Sequence, residues 1–169
     1  GKALEYAVRL FETIERHAFD TMRNGYIEAA SRDWNPIDDM RLSDKDDNTP
    51  KTMNTHLHIL EPYTNLYRVW PDARLRERLI NLISIFLDKI ESPLTHHLGL
   101  FFDNDWCEKS CGVYSYGHDI EASWLLLEAA HAVGDAELTE RVKRHSRRIA
   151  DAALEGYMPD GSLIYEHRA

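Results

Sequence analysis

Between Lys2 and Ala18 the apolar residues Leu4, Ala7, Val8, Phe11, Ile14 and Ala18 recur at intervals of three and four, placing one apolar stripe on an otherwise charged helix. The chain therefore opens inside an amphipathic helix. Thr49-Pro50 has the form of an N-cap followed by proline at the first helical position, and predicts a second helix running to about Trp70. Pro62 removes the amide that would bond to the carbonyl of His58, which predicts a kink one turn after that residue. Pro71-Asp72 restarts the chain into a third helix, with Leu75, Leu79, Leu82, Ile83, Phe86, Leu87 and Ile90 along its stripe. Gly117 to Val133 reads as a fourth. Gly134-Asp135 is a stop and a new N-cap, and Leu138, Val142, His145, Ile149 and Ala153 line a fifth.

After the odd-numbered helices comes a glycine-led apolar patch: Gly25-Tyr26-Ile27, Gly99-Leu100-Phe101-Phe102 and Gly161-Ser162-Leu163-Ile164-Tyr165. A unit of two helices and a short strand-like excursion, repeated at such intervals, cannot bury its faces alone and packs against copies of itself. The two helices of a unit differ in kind. The one holding Ile120, Trp124, Leu125, Leu126, Leu127, Ala129 and Ala130 is apolar over much of its girth, whereas the next turns Glu137, Glu140, Arg141, Lys143 and Arg144 outward. An inner and an outer layer follow. The expected fold class is all-α, an incomplete (α/α)6 barrel built from helical hairpins, with residues 1–169 forming part of a single barrel domain truncated at both ends.

Composition narrows the partners. Hydrophobic residues make up 43% of the chain and charged ones 29%, enough apolar surface for a core. Twenty Lys and Arg against 29 Asp and Glu leave a net charge of -9, so a nucleic acid would have to bind against the overall field and is not expected as a partner. No run of about 18 uncharged apolar residues is present, and Gly1-Lys2-Ala3-Leu4-Glu5-Tyr6 lacks the pattern of a secretion signal; a cytoplasmic location without a membrane partner is the expectation. Cys107 and Cys111 are too few for a disulfide framework and lack the second pair of a zinc site, so no metal is expected.

Nine histidines remain to be explained. Two of them begin a matching pattern at the starts of the inner helices, His58-Ile59-Leu60-Glu61 and His118-Asp119-Ile120-Glu121. Residues three apart share a helical face, so each imidazole has a carboxylate beside it that can orient it and raise its basicity. A single such pair is an ordinary surface feature. Two copies, read as equivalent positions of the repeat, point to a pocket at one end of the barrel. Asn54 lies one turn before His58 on the same face, while His56, turned by about 200°, points away and reads as a packing residue. His96-His97 reads as a solvated loop pair. Most aromatic residues read as core, but Trp106 and Tyr114 fall in a segment rich in Asp, Asn and Ser, where ring faces beside hydrogen-bonding groups suit a sugar.

The stretches Lys51-Thr52-Met53-Asn54-Thr55-His56-Leu57-His58-Ile59-Leu60-Glu61 and Tyr114-Ser115-Tyr116-Gly117-His118-Asp119-Ile120-Glu121-Ala122-Ser123-Trp124 resemble the cellobiose 2-epimerases of the N-acylglucosamine 2-epimerase superfamily. Trp34 to Asp47, Tyr63 to Trp70 and Leu98 to Trp106 are similar as well. The resemblance implies a central part of an (α/α)6 barrel and a reaction, free of cofactor or metal, that inverts C2 of a reducing-end sugar. It implies that His118 is one of two acid/base histidines, that Glu121 supports it, and that Asn54 and His58 contact the sugar. The family's arginine would precede Gly1, and its paired tryptophans and second acid/base histidine would follow Ala169. The fragment itself is then expected to be inactive and to self-associate through open edges.

Other classes are open on the residues alone. An N-acylglucosamine 2-epimerase or an aldose–ketose isomerase would use the same chemistry. A di-iron bundle would need the reverse order, Glu-x-x-His, and further bridging carboxylates. A glycosidase would use two carboxylates from among Asp103, Asp105 and Glu121. A helical-repeat binding module would need no ordered His–carboxylate pair.

Overall fold

In the computed structural model, which describes residues 1–168, five helices carry the chain: α1 (Lys2–His17), α2 (Met53–Val69), α3 (Ala73–Ile85), α4 (Tyr116–Val133) and α5 (Ala136–Ala153). α2 and α4 pack on one another, α3 packs behind both, and α1 and α5 flank them, so an inner pair is backed by an outer layer. Leu57, Leu60, Leu79, Leu82, Ile83, Leu126, Ala129, Ala130, Val142 and Ile149 meet in the core between the layers. Local signals end and start the helices as the sequence suggests. Asp72 caps α3 through Arg74 and Leu75, Asp135 caps α5 through Leu138, and Gly134 turns the chain between α4 and α5 at a φ of 74°. α2 continues unbroken through Pro62, which lies on its exposed side.

The start of α2 departs from the sequence reading. Thr52, not Thr49, is its N-cap, accepting the amide of Thr55 at 3.1 Å. Lys51 and Thr52 are instead drawn into β1, which pairs antiparallel with β2 (Phe101–Phe102). Lys51 is fully buried there, its ammonium bonded to Asp20 at 3.0 Å and to the carbonyl of Asn104 at 2.7 Å. A buried, doubly bonded cation fixes residue 51 in the ladder and delays the helix. The same arrangement recurs one unit on, where β3 (Val113–Tyr114) pairs with β4 (His167–Arg168) just ahead of α4.

The glycine-led patches are hairpins closing the outer helices. Asp20 N–H bonds to Gly25 and Ile27 N–H to Ala18; Ser92 to His97 and Gly99 to Ile90; Met158 to Ser162 and Ile164 to Gly156. A Cβ on Gly25, at a φ of 89°, would stand 2.4 Å from the Trp106 ring and 2.8 Å from His56, so only glycine fits that turn.

Two of these hairpins are latched to the inner helices by a buried side chain. His56 Nε2 accepts the Tyr26 amide at 2.9 Å, and Asp119 Oδ1 accepts the Leu98 amide at 2.9 Å. Counted from the caps Thr52 and Ser115, His56 and Asp119 hold the same helical position. That register corrects the apparent repeat: His58 corresponds to Glu121 and His118 to Thr55, so the two His-x-x-Glu runs are one turn out of step rather than equivalent. The helix start, set by the cap hydroxyl, determines structural position, and a four-residue motif does not.

His56 donates from Nδ1 to the Thr52 carbonyl, and burial, the largest influence, pushes its pKa down to about 4. The unfolded chain, with an ordinary histidine pKa near 6.5, binds the proton first. The stabilisation from keeping His56 neutral is full above about pH 6.5 and is lost as pH falls toward 4, a change of about 3 kcal/mol. Urea unfolding across that range will show this loss, and a His56→Gln variant will show a shallower one.

Candidate active site

The N-terminal ends of α2 and α4 open onto a cavity of about 250 Å³ walled by the 40–47 loop on one side and by Tyr165, Glu166 and Arg168 on another. Asn54, on the first turn of α2, and His118, on the first turn of α4, both line it. His118 sits three residues after its cap and His58 six after its own; His118 lines the cavity, and His58 is not among its lining residues. They lie near enough for the charge on His58 to influence His118.

His118 is half-buried. Burial is the main cause holding its imidazole below the ordinary histidine value, His58 adds to the effect, and the carboxylates of Glu121 and Glu166 oppose it. An imidazole so placed is neutral, and competent as a base, at neutral pH. Its Nδ1 lies 3.0 Å from the hydroxyl of Ser115, the α4 cap. Glu121 is therefore an electrostatic neighbour of His118 rather than its hydrogen-bond partner. His58 is exposed, with Nδ1 4.0 Å from Glu61, beyond a hydrogen bond.

The remaining sugar-site candidates lie elsewhere. Trp106 packs edge-on to His56 with centroids 5.0 Å apart, carries the Lys51 ammonium 5.1 Å from its ring centre, and donates its indole N–H to the Arg23 carbonyl at 3.1 Å. Tyr114, on β3, is stacked between His97 at 3.7 Å and His167 at 4.8 Å, and burial pushes its hydroxyl up to about 12. His97 is itself buried, in contrast to the solvated loop residue the sequence suggests. Its Nδ1 bonds to Asp119 at 2.7 Å, so one carboxylate holds both the Leu98 amide and this ring.

Two lining residues escaped the sequence reading. Glu28 reaches the cavity from the loop after the first hairpin and accepts the Thr52 hydroxyl; burial raises its carboxyl above the usual range. Nothing local marks it, because its partner is 24 residues away. Ser115 was legible in principle, since serine ahead of an apolar helix is a favoured cap. Among the described residues no group of three or more His, Cys, Asp or Glu could hold a metal ion, and no helix is long and apolar enough to cross a membrane.

Inner and outer helices in two layers, with a cavity at the inner-helix starts, make the chain a segment of an (α/α)6 barrel. The chain is similar over 98% of its length to the cellobiose 2-epimerase of Bacteroides fragilis, with 62% identity across 165 residues. Its fold matches the structure of cellobiose 2-epimerase from Bacillus thermoamylovorans, at a TM-score of 0.88 and 41% identity, and that from Spirochaeta thermophila, at 0.86 and 38%. Each match takes in at least 98% of this chain, which spans 42% of the first two proteins and 41% of the third. No family model matches the chain. In sequence and in fold the chain thus corresponds to part of a cellobiose 2-epimerase barrel.

Proposed function

We propose that this chain supplies one acid/base half of a sugar 2-epimerase site that inverts C2 of the reducing-end glucose of cellobiose or a related β-linked disaccharide. The observation that carries the reading is His118, half-buried on the wall of the cavity that Asn54 also lines and held below its ordinary pKa. In the open-chain aldose the C2 proton is acidic because the neighbouring carbonyl takes up the electron pair as an enediolate. His118 removes that proton, and hydrogen-bond donors at O1 and O2 hold the developing charge. The Asn54 amide, which lines the same cavity, is one such donor, and His58, one turn further along α2, is a second sugar contact. Return of a proton to the opposite face of C2 gives the manno epimer with no net change in atoms or electrons. A base fixed on one side cannot deliver that proton, so its source lies in the part of the relatives' length that this chain does not span. The 169 residues alone are accordingly inactive.

The test is a chimera in which this chain replaces the matching 165 residues of the Bacteroides fragilis enzyme, a swap supported by 62% identity. Incubated with cellobiose in D2O, with a chelator and no added cofactor, the chimera is expected to place deuterium at C2 and to form the epimer, as followed by NMR. The isolated chain is expected to do neither. A folded chimera without exchange refutes the epimerase reading.

A further inference from the structure

The Ser115 hydroxyl has one proton and two lone pairs to distribute, and the structure accounts for all of them. It donates to the Tyr165 carbonyl at 3.3 Å and accepts the His118 backbone amide at 3.4 Å. The remaining lone pair faces His118 Nδ1 at 3.0 Å. With its proton given to the Tyr165 carbonyl, the oxygen meets Nδ1 favourably only if that nitrogen carries a hydrogen; the opposite assignment would turn the proton to Nδ1 and leave the carbonyl without it. Ser115 is buried at the cavity wall, and the Tyr165 carbonyl is held two residues ahead of β4, which is paired to β3.

We infer that Ser115 is a positioning residue which, besides capping α4, locks neutral His118 with its proton on Nδ1 and its lone pair on Nε2, the nitrogen left to face the sugar. This deepens the epimerase reading and rests on it for its catalytic meaning, although the tautomer is a property of the chain by itself. Free histidine favours the opposite tautomer, with the proton on Nε2, which would offer a donor where the reaction needs a base. The serine overrides that preference, so the helix start and the basicity of Nε2 depend on a single oxygen.

The first measurement is long-range 1H–15N correlation NMR on the 169-residue chain with labelled histidine, the His118 signals being assigned by their loss in His118→Gln. Above its titration, His118 is expected to show a protonated Nδ1 and a bare Nε2. Ser115→Gly, which keeps much of the capping capacity but deletes the hydroxyl, is expected to shift the population toward protonated Nε2, and Ser115→Thr to restore it. A wild-type His118 with a bare Nδ1 overturns the inference whether or not the variants fold. In the chimera, Ser115→Gly is expected to lower kcat about tenfold with KM little changed, less than the roughly 10²-fold loss of a general base, and Ser115→Thr to recover it. Unchanged kcat in Ser115→Gly overturns the positioning role. A wild-type chimera without deuterium exchange refutes the epimerase reading alone, because the tautomer is read separately.

Discussion

Replacing His118 with Asn in the chimera is expected to lower C2 deuterium exchange from D2O by at least about 10²-fold, the typical contribution of a general base. Asparagine keeps much of the polarity and volume of the ring while removing the nitrogen that titrates. The fold survives: His118 is half-buried and its ring bonds only to Ser115 among the described residues, so the circular dichroism melt stays close to that of the parent. Glu121→Gln has a smaller effect, because Glu121 acts on His118 through its charge alone. Its loss lowers the His118 pKa further and moves the acid limb of the rate profile to lower pH. Wild-type exchange in His118→Asn would place the base on another residue.

The largest loss of stability is expected from Asp119→Ala. This carboxylate is fully buried and accepts both the Leu98 amide and His97 Nδ1. Its removal leaves two buried donors unpaired, at a cost of about 3–5 kcal/mol. For a chain of this size that lowers Tm by on the order of 10 °C. Asp119→Asn is milder, because its amide oxygen can still accept the Leu98 N–H and His97 can turn its other tautomer toward the amide nitrogen. Urea unfolding at pH 7 measures both. A cost below about 1 kcal/mol for the alanine variant would mean that water reaches the site.

The helices were legible because their apolar periods and caps are local. Asp72, Asp135 and Gly134 act within a turn of where they stand, and α3, α4 and α5 begin within a residue or so of the expected points. What could not be read depends on distant partners. Thr49-Pro50 offers as good a local start as Thr52, and the choice is made by Phe101–Phe102 across the β1–β2 ladder and by Asp20 and Asn104 around Lys51. His97 reads as a loop residue until Asp119, 22 positions on, is folded against it. His118 and Asn54, singled out for their chemistry, line the cavity, and His58 does not. The relation of His58 to His118 was not legible, because the repeated His-x-x-Glu letters suggested a register that the cap hydroxyls do not share.

The latches made by His56 and Asp119 each take hold of a main-chain amide. Tyr26 and Leu98 contribute to these bonds an amide hydrogen, which every residue except proline carries, and their side chains are buried in the core besides. The hydrogen-bond half of each latch is therefore indifferent to which side chain stands at 26 or 98, while the packing half is not, so a substitution there is felt as a change of core volume with the bond retained.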